Sequence, residues 1–197
     1  MEQTNVFKRK IYQEMLRWKE ERQGETALLI EGARRIGKST IVEEFAKNEY
    51  SSYILVDFSK TATEINNLFN DLSDLNYIFL RLQLNYNVSL KERKSLIIFD
   101  EVQHNPKARQ AIKHLVKDHR YDYIETGSLI SIRKNVQNII IPSEETRITM
   151  HPMDFEEFRW AMGDNVTFTL LKTVLEQKQS LGEATHRKLM RDFRLYM

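Results

Sequence analysis

The chain contains no cysteine among its 197 residues, which excludes disulfide bonds and thiolate metal sites. It also lacks an apolar run of about 18 residues, the length that a membrane-spanning helix needs, and its first residues form no signal-length apolar segment. Net charge is only +2, so composition gives no strong attraction to nucleic acid or acidic lipid. These absences predict a cytoplasmic protein without membrane association.

Glycine and proline are scarce, at six and three residues, so each one that occurs is informative about turns. Four short apolar runs predict buried strands, and a fifth strand is expected at RITM: ALLIEG (Ala27–Gly32), SYILVDF (52–58), SLIIFDE (95–101), DYIETGS (Asp122–Ser128) and RITM (147–150). Apolar residues at helical spacing lie between these runs and over residues 4–20. This alternation predicts an α/β fold with a parallel sheet flanked by helices.

The last part of the sequence has a different pattern, because everything from residue 153 onward is typical of helices. We therefore expect a core over residues 1–152 and a helical segment over 153–197. The final helix ends on Tyr196 and Met197 with no glycine or proline stop signal. This ending favours a truncated segment of a longer protein.

One short motif predicts a phosphate-binding loop. Residues 32–40 read GARRIGKST, which matches G-x-x-x-x-G-K-[ST] at each fixed position. In such loops backbone N–H groups surround phosphate oxygens, and the next helix adds the positive end of its dipole. A chance glycine-containing turn is the alternative, but the motif follows a predicted strand and opens a predicted helix.

The motif assigns roles to individual residues of the loop. Lys38 is expected to reach the β- and γ-phosphates, and the Ser39 hydroxyl to bind Mg²⁺. The whole run is expected to contact the nucleotide phosphates: Gly32, Ala33, Arg34, Arg35, Ile36, Gly37, Lys38, Ser39 and Thr40.

A second signal is independent of the first. Asp100 and Glu101 stand at the end of the apolar run LIIF, and ligands of open α/β sheets bind at the carboxyl ends of strands. Asp100 is therefore a candidate Mg²⁺ ligand, and Glu101 a candidate general base for an attacking water. The plainer reading is a pair of solvated acids that end a strand.

Two weaker signals complete the candidate site. Thr126 and Ser128 end the strand of IETGS, where their hydroxyls could face a γ-phosphate; an ordinary strand exit is equally compatible with these residues. Arg147 begins the fifth predicted strand and is a candidate for neutralising transition-state charge. Arg34 and Arg35 are its rivals, and a surface arginine on an edge strand is the alternative.

These stretches give the chain a broad resemblance to a known family. Residues 8–158 resemble the AAA-type P-loop ATPases of archaea and bacteria, on KRKIYQEMLRWK, ALLIEGARRIGKSTIVEEFAK, SLIIFDEVQHNPKARQAIKHLV, YIETGSLIS and HPMDFEEF. The resemblance implies a five-stranded sheet of order 5-1-4-3-2, binding of ATP with Mg²⁺, and a C-terminal domain of unknown function that this sequence lacks. It also implies that Gln103 lies near the γ-phosphate, that Lys8 and Arg9 lie near the adenine, and that an arginine such as Arg147 follows a glycine; here Thr146 replaces that glycine.

The leading functional hypothesis is Mg²⁺-dependent ATP hydrolysis by a switch or motor part, with a homo-oligomer or protein partner reached through the missing C-terminal part. The alternative is a nucleotide-binding regulatory module with little or no hydrolysis. A GTPase is disfavoured because no Asn-Lys-x-Asp loop occurs, and a small-molecule kinase because such enzymes usually lack the adjacent Asp100 and Glu101. Nucleic-acid binding rests only on the basic residues of 186–194, which are more typical of a solvated helix face.

Overall fold

A computed structural model describes residues 6–128 and 144–197 of the protein. Five parallel strands form one sheet in the order β2-β3-β4-β1-β5. The strands are β1 (Ala27–Gly32), β2 (Ser52–Asp57), β3 (Ser95–Asp100), β4 (Asp122–Ser128) and β5 (Glu145–Met150). Read from the other edge this is the predicted order 5-1-4-3-2, so the predicted fold class is confirmed.

Helices connect and flank the strands: α1 (Ile11–Arg22), α2 (Lys38–Glu49), α3 (Thr63–Asn67), α4 (Leu75–Tyr86), α5 (Pro106–Asp118), α6 (Phe155–Ala161), α7 (Thr167–Glu176) and α8 (Glu183–Tyr196). Short 3-10 turns follow α3 at Leu68–Asn70 and β3 at Val102–His104. Several bounds differ from expectation. The first helix runs over Ile11–Arg22 and not over 4–20, and β5 begins two residues before Arg147. β2 ends at Asp57 and β3 at Asp100, each one residue earlier than predicted.

Helices cover both faces of the sheet. The register of the strands places Ile54, Ile97 and Tyr123 on one face, where they pack with buried residues of α3, α4 and α5. Leu28 and Ile124 lie on the opposite face, the side on which α2 buries Ile41, Val42 and Phe45. The inner strands β3 and β4 have helices on both sides and are buried along their whole length.

The start of α5 follows the capping pattern that the sequence indicates. The Asn105 side chain accepts a hydrogen bond from Ala108 N–H at 3.0 Å, and Pro106 occupies the first turn. The Asn105 amide also donates to the Asn66 carbonyl at 3.1 Å. The cap therefore joins α5 to the end of α3 and fixes the turn that follows Glu101.

The described residues divide into two compact units. One is built from the described part of 11–151 and contains the whole sheet. The other combines residues 6–10 with 152–197, whereas the sequence placed residues 1–10 with the core.

Buried ion pairs and an aromatic cluster hold the second unit together. Asp154 forms a capping box with Glu157 at the start of α6, and Glu157 also pairs with Arg9 at 3.2 Å. Arg159 pairs with Asp164 and Asp192. Phe155 is the centre of the aromatic cluster, whose other members are Phe158, Phe168, Phe193 and Tyr196.

We expect Phe99→Ala to lower the free energy of unfolding by about 3–5 kcal/mol, because truncating a buried aromatic leaves a cavity. The Phe99 ring lies 5.2 Å from that of Phe69 and 5.4 Å from that of Phe58. Chemical denaturation measures the loss. Leu84→Ala is the control: this side chain on α4 is 66% exposed, so its removal should change stability by no more than about 0.5 kcal/mol. Equal losses for the two variants would contradict the assigned core.

Candidate functional site

The phosphate-loop motif forms a tight turn between β1 and α2. Gly37 adopts a left-handed backbone conformation, φ 91°, immediately before the first residue of the helix. The N-cap residue Gly37 has no side chain that could cap α2, so the N–H groups of the first turn can donate to another acceptor. Arg35 is also left-handed at φ 63°. The turn thus presents backbone donors and the positive end of a twelve-residue helix at one point.

Gly32 is required where β1 enters the loop. A Cβ atom at this position would lie 2.3 Å from the Met150 carbonyl oxygen and 2.9 Å from the Ile36 side chain. The first of these contacts is with rigid backbone, so a larger residue could not be accommodated without moving β5. The end of the edge strand β5 therefore forms one wall of the loop.

Lys38 points back into the loop that precedes it. Its ammonium group donates to the Ala33 carbonyl at 2.7 Å and to the Gly32 carbonyl at 3.3 Å, and the residue is buried. Burial lowers the pKa of Lys38 from its ordinary value, while the nearby carboxylates of Glu101 and Asp100 act in the opposite direction. Lys38 is thus a buried cation that faces the two acidic residues predicted for the site.

The Asp100 carboxylate joins three elements. Ser39 on α2 donates its hydroxyl to Asp100 Oδ1 at 2.8 Å, and Thr126 on β4 donates to the same oxygen. The strand order explains the meeting, since β4 lies between β1 and β3 and the carboxyl ends of all three share one edge. The structure therefore brings together Ser39, Asp100 and Thr126, which are 87 residues apart at most in the sequence (126 − 39).

Glu101 follows directly after Asp100, the last residue of β3. It is left-handed at φ 52°, an uncommon conformation for a residue other than glycine. Its N–H donates to Thr126 Oγ1 at 3.3 Å, and its carboxylate accepts a hydrogen bond from the Gln103 side chain. Thr126 therefore contacts both predicted acids, and Gln103 contacts one of them.

The other predicted residues divide into three groups. Ser128 is buried and in register with Gly32, so it also lies at the carboxyl edge. The rest of the loop faces outward to different degrees: Ala33, Arg34, Arg35, Gly37 and Thr40 are exposed, and Ile36 is half-buried. Lys8 and Arg9 belong to the second unit, where Lys8 lies 4.5 Å from the centre of the Trp160 ring.

Arg147 does not join these residues. It is paired with Leu29, three positions before Gly32, which places it about 10 Å back along the strands. Its guanidinium contacts Glu145 at 2.6 Å on the face of the sheet that α5 covers. An arginine so held is a structural partner of Glu145, and the geometry gives it no contact with the loop.

The donor set at the edge fits a magnesium ion. Mg²⁺ prefers oxygen ligands and is usually held by one or two side chains together with water and substrate phosphates. Asp100 and Ser39 supply a carboxylate and a hydroxyl side by side. No cluster of three or more His, Cys, Asp or Glu side chains with metal-binding geometry occurs in the described ranges, so an all-protein metal cage is not found there.

Three residues of this unit were not identified from sequence. Arg109, Glu125 and Glu145 are buried on the α5 side of the sheet, opposite the Asp100 side. The one available signal was Glu125 itself, a charged residue in the middle of an otherwise uncharged buried stretch, YIETGS.

Comparison with known proteins found one family model and similar solved structures. A family model described as an AAA domain matches residues 24–159, well over half of the chain. None of the curated proteins matches. One similar solved structure is that of C. elegans PCH-2, with 11% identity and a TM-score of 0.38; the match covers 83% of this chain and 44% of that one, so the chain spans less than half of that protein. Within the described residues no helix is both long and apolar enough to cross a membrane.

The family match runs from the residues before β1 into α6 and includes the phosphate loop, Asp100, Glu101 and β4. The chain belongs to the AAA domain family.

Proposed function

We propose that the protein binds ATP with Mg²⁺ and hydrolyses it, as a switch or motor part. The observation that carries this proposal is the meeting of Lys38, Ser39, Asp100 and Glu101 at one edge of the sheet. A buried cation, a hydroxyl–carboxylate pair and a second carboxylate are what phosphoryl transfer to water requires. The family assignment supports nucleotide binding in general; hydrolysis and the need for Mg²⁺ are our inference.

The loop and α2 would bind the phosphates. Free N–H groups at the start of α2 would donate to phosphate oxygens. Lys38 would exchange the carbonyls of Gly32 and Ala33 for the β- and γ-phosphates, a stronger pairing because the acceptors are charged. Arg34 and Arg35 are exposed within the loop and would add positive potential.

Ser39 and Asp100 would hold the metal ion. When bound there, Mg²⁺ would neutralise charge on the β- and γ-phosphates. Thr126 keeps the Asp100 carboxylate oriented through its hydroxyl. Ser128, in register with Gly32, is placed to contact the phosphate end of the nucleotide.

Glu101 would act as the general base. A carboxylate can accept the proton of a water molecule as that water attacks the γ-phosphate. The Thr126 hydroxyl accepts from the Glu101 N–H, and the Gln103 amide donates to the Glu101 carboxylate. We assign Gln103 as a positioning residue that fixes the direction of this carboxylate.

A second candidate function is nucleotide binding with little or no hydrolysis. It is favoured by the Gln103 contact, because a water that used Glu101 as its base would have to share this carboxylate with the Gln103 amide. The distance of Arg147 from the loop also favours it, because no described arginine of the strands then reaches the transferred phosphate. Turnover measurements separate the two functions.

Lys38→Ala should weaken ATP binding at least tenfold, because a hydrogen bond to a charged group is worth about 1.5–3 kcal/mol. Calorimetry with Mg²⁺ on the wild type and the variant measures the affinity, with GTP in parallel to test base preference. Lys47→Ala removes an exposed lysine from the same helix and should leave affinity unchanged. Unaltered ATP affinity in Lys38→Ala would contradict the phosphate-loop assignment.

Glu101→Gln should leave ATP affinity within about twofold and lower turnover by roughly 100- to 10,000-fold, the usual contribution of a general base. Phosphate release at saturating ATP measures turnover. Glu31→Gln alters a second carboxyl group near the end of β1 and should keep the wild-type rate. If Glu101→Gln hydrolyses ATP as fast as the wild type, Glu101 is not the base; if the wild type itself binds without turnover, the regulatory alternative holds.

Thr126→Val should raise the Mg²⁺ concentration needed for half-maximal turnover by about 10- to 100-fold. The variant keeps the side-chain shape but removes the hydroxyl that donates to Asp100, a bond to a charged group of about 1.5–3 kcal/mol. Titration of Mg²⁺ at fixed ATP provides the measurement. Thr149→Val on β5 is the matched control, and an equal shift in both variants would contradict the assigned link.

A further inference from the structure

Four charged residues form a buried charge cluster between α5 and the sheet: Arg109 on α5, Glu125 on β4, and Glu145 and Arg147 on β5. The side chains of Glu125 and Glu145 are fully buried and that of Arg109 is 3% exposed, whereas the Arg147 side chain is 41% exposed. Fully buried carboxyl groups are rare because removing their charge from water is costly. The question is therefore how the charges of these two buried carboxyl groups are compensated.

The two arginines pair with only one of the acids. Arg109 Nη2 lies 3.3 Å from one Glu145 oxygen, and Arg147 Nε lies 2.6 Å from the other. Neither Glu125 oxygen accepts a hydrogen bond from any donor in the described part of the chain. The Glu145 carboxyl is one of the groups that raise the pKa of Glu125, both by its charge and by a side-chain hydrogen bond.

The strand β1 lies between the two acids but leaves room for them to meet. Glu145 is in register with Ala27 and Glu125 with Leu29. Ala27 carries only a methyl group, so the longer glutamate side chains can reach each other over β1. At the level of Glu125 the neighbouring strands contribute Phe99 and Leu29, which are uncharged, and the charged groups described as facing it are Glu145, Arg147 and Arg109.

Two ionised carboxylates in this position would repel each other, because their side chains are shielded from solvent. A protonated carboxyl group can instead donate its O–H to an ionised carboxylate, which satisfies both groups. Burial and the adjacent Glu145 raise the pKa of Glu125 well above its usual range, and Arg109 opposes the shift. The ion pairs with Arg109 and Arg147 identify Glu145 as the ionised partner.

We propose that Glu125 and Glu145 share one proton, and that this proton locks the edge strand β5 and helix α5 onto the sheet. Glu145 binds Arg109 of α5 and Arg147 of its own strand, and the protonated Glu125 ties the group to β4. Loss of the proton at higher pH leaves two buried negative charges across β1. β5 is an edge strand that pairs with β1 alone and carries Glu145, so it should separate first.

The lock also bears on the phosphate loop. The Met150 carbonyl at the end of β5 packs against Gly32, so loosening β5 removes one wall of the loop. We expect nucleotide affinity to fall as the proton is lost. This consequence rests on the proposed function, whereas the shared proton does not.

The sign of the pH effect follows from the raised pKa. Between the unfolded value of about 4.3 and the higher folded value, the folded chain holds a proton that the unfolded chain has released. The stability from this group is complete below the lower value and is lost as pH rises through the folded pKa. The folding equilibrium constant then loses about a factor of ten per pH unit through this one group.

Chemical denaturation of the wild type and Glu125→Gln from about pH 5 to pH 9 tests the proposal. Glutamine can still donate a hydrogen bond to Glu145 but has no proton to lose. The folding constant of the variant divided by that of the wild type should rise about tenfold per pH unit until it reaches a plateau. Glu64→Gln, which removes an exposed carboxyl group on α3, is the control for the effect of losing one negative charge on the folding constant. A ratio that does not change with pH would overturn the shared proton.

Infrared spectroscopy of the wild type keeps the test decisive if the variant fails to fold. A carbonyl band of a protonated carboxyl group is expected to persist above the pH range in which exposed carboxyl groups ionise, and its absence there would overturn the proposal. ATP affinity over the same pH range tests the link to the loop. If the protein binds no ATP at all, the proposed function is refuted. The infrared band and the unfolding ratio would still show whether Glu125 and Glu145 share a proton.

Discussion

The arrangement of the site depends on the two hydrogen bonds that the Asp100 carboxylate accepts. This carboxylate is buried at the end of β3 and accepts hydroxyl groups from Ser39 on α2 and Thr126 on β4. A buried carboxylate without such donors would be strongly destabilising. The position of α2, and with it the phosphate loop, is therefore coupled to the pairing of β3 with β4. In our proposal the same carboxylate binds the metal ion, so the residue that organises the fold here is also the one that the ligand would engage.

Much of this arrangement could be predicted from sequence because two independent rules agree. Apolar runs identify the strands, and the carboxyl ends of parallel strands share one edge. The loop motif and the acids after LIIF were therefore expected to meet, as Ser39 and Asp100 do. The strand order came only from the family resemblance, since alternation of strands and helices does not specify which strand lies in the centre.

The features that could not be predicted from the sequence all depend on contacts or backbone angles that a residue pattern does not specify. Whether Glu101 continues β3 or turns away depends on its backbone angle, and an apolar run does not encode that angle. Arg147 looked like a site residue because its type suits phosphate, but register places it beside Leu29 and Glu145. Helical spacing on α5 indicated an apolar stripe and so gave no reason to bury Arg109. A buried charge is stable only through partners from other elements, and a one-dimensional pattern does not contain those partners.

The proposed binding site lies on the α2 face of the sheet and the buried charge cluster on the α5 face. The strand β5 contacts both. On the α2 face, hydroxyl groups and a lysine surround Asp100; on the α5 face, arginines surround Glu145. The phosphate loop and β5 contact each other at Gly32, where a side chain would collide with the Met150 carbonyl. Since parallel strands in register move little against each other, a change at Glu145 is passed along β5 to Met150 only if the whole strand shifts. Coupling between the buried charge cluster and the loop should therefore be all-or-none, set by whether β5 is paired with β1, and not a graded adjustment of the loop.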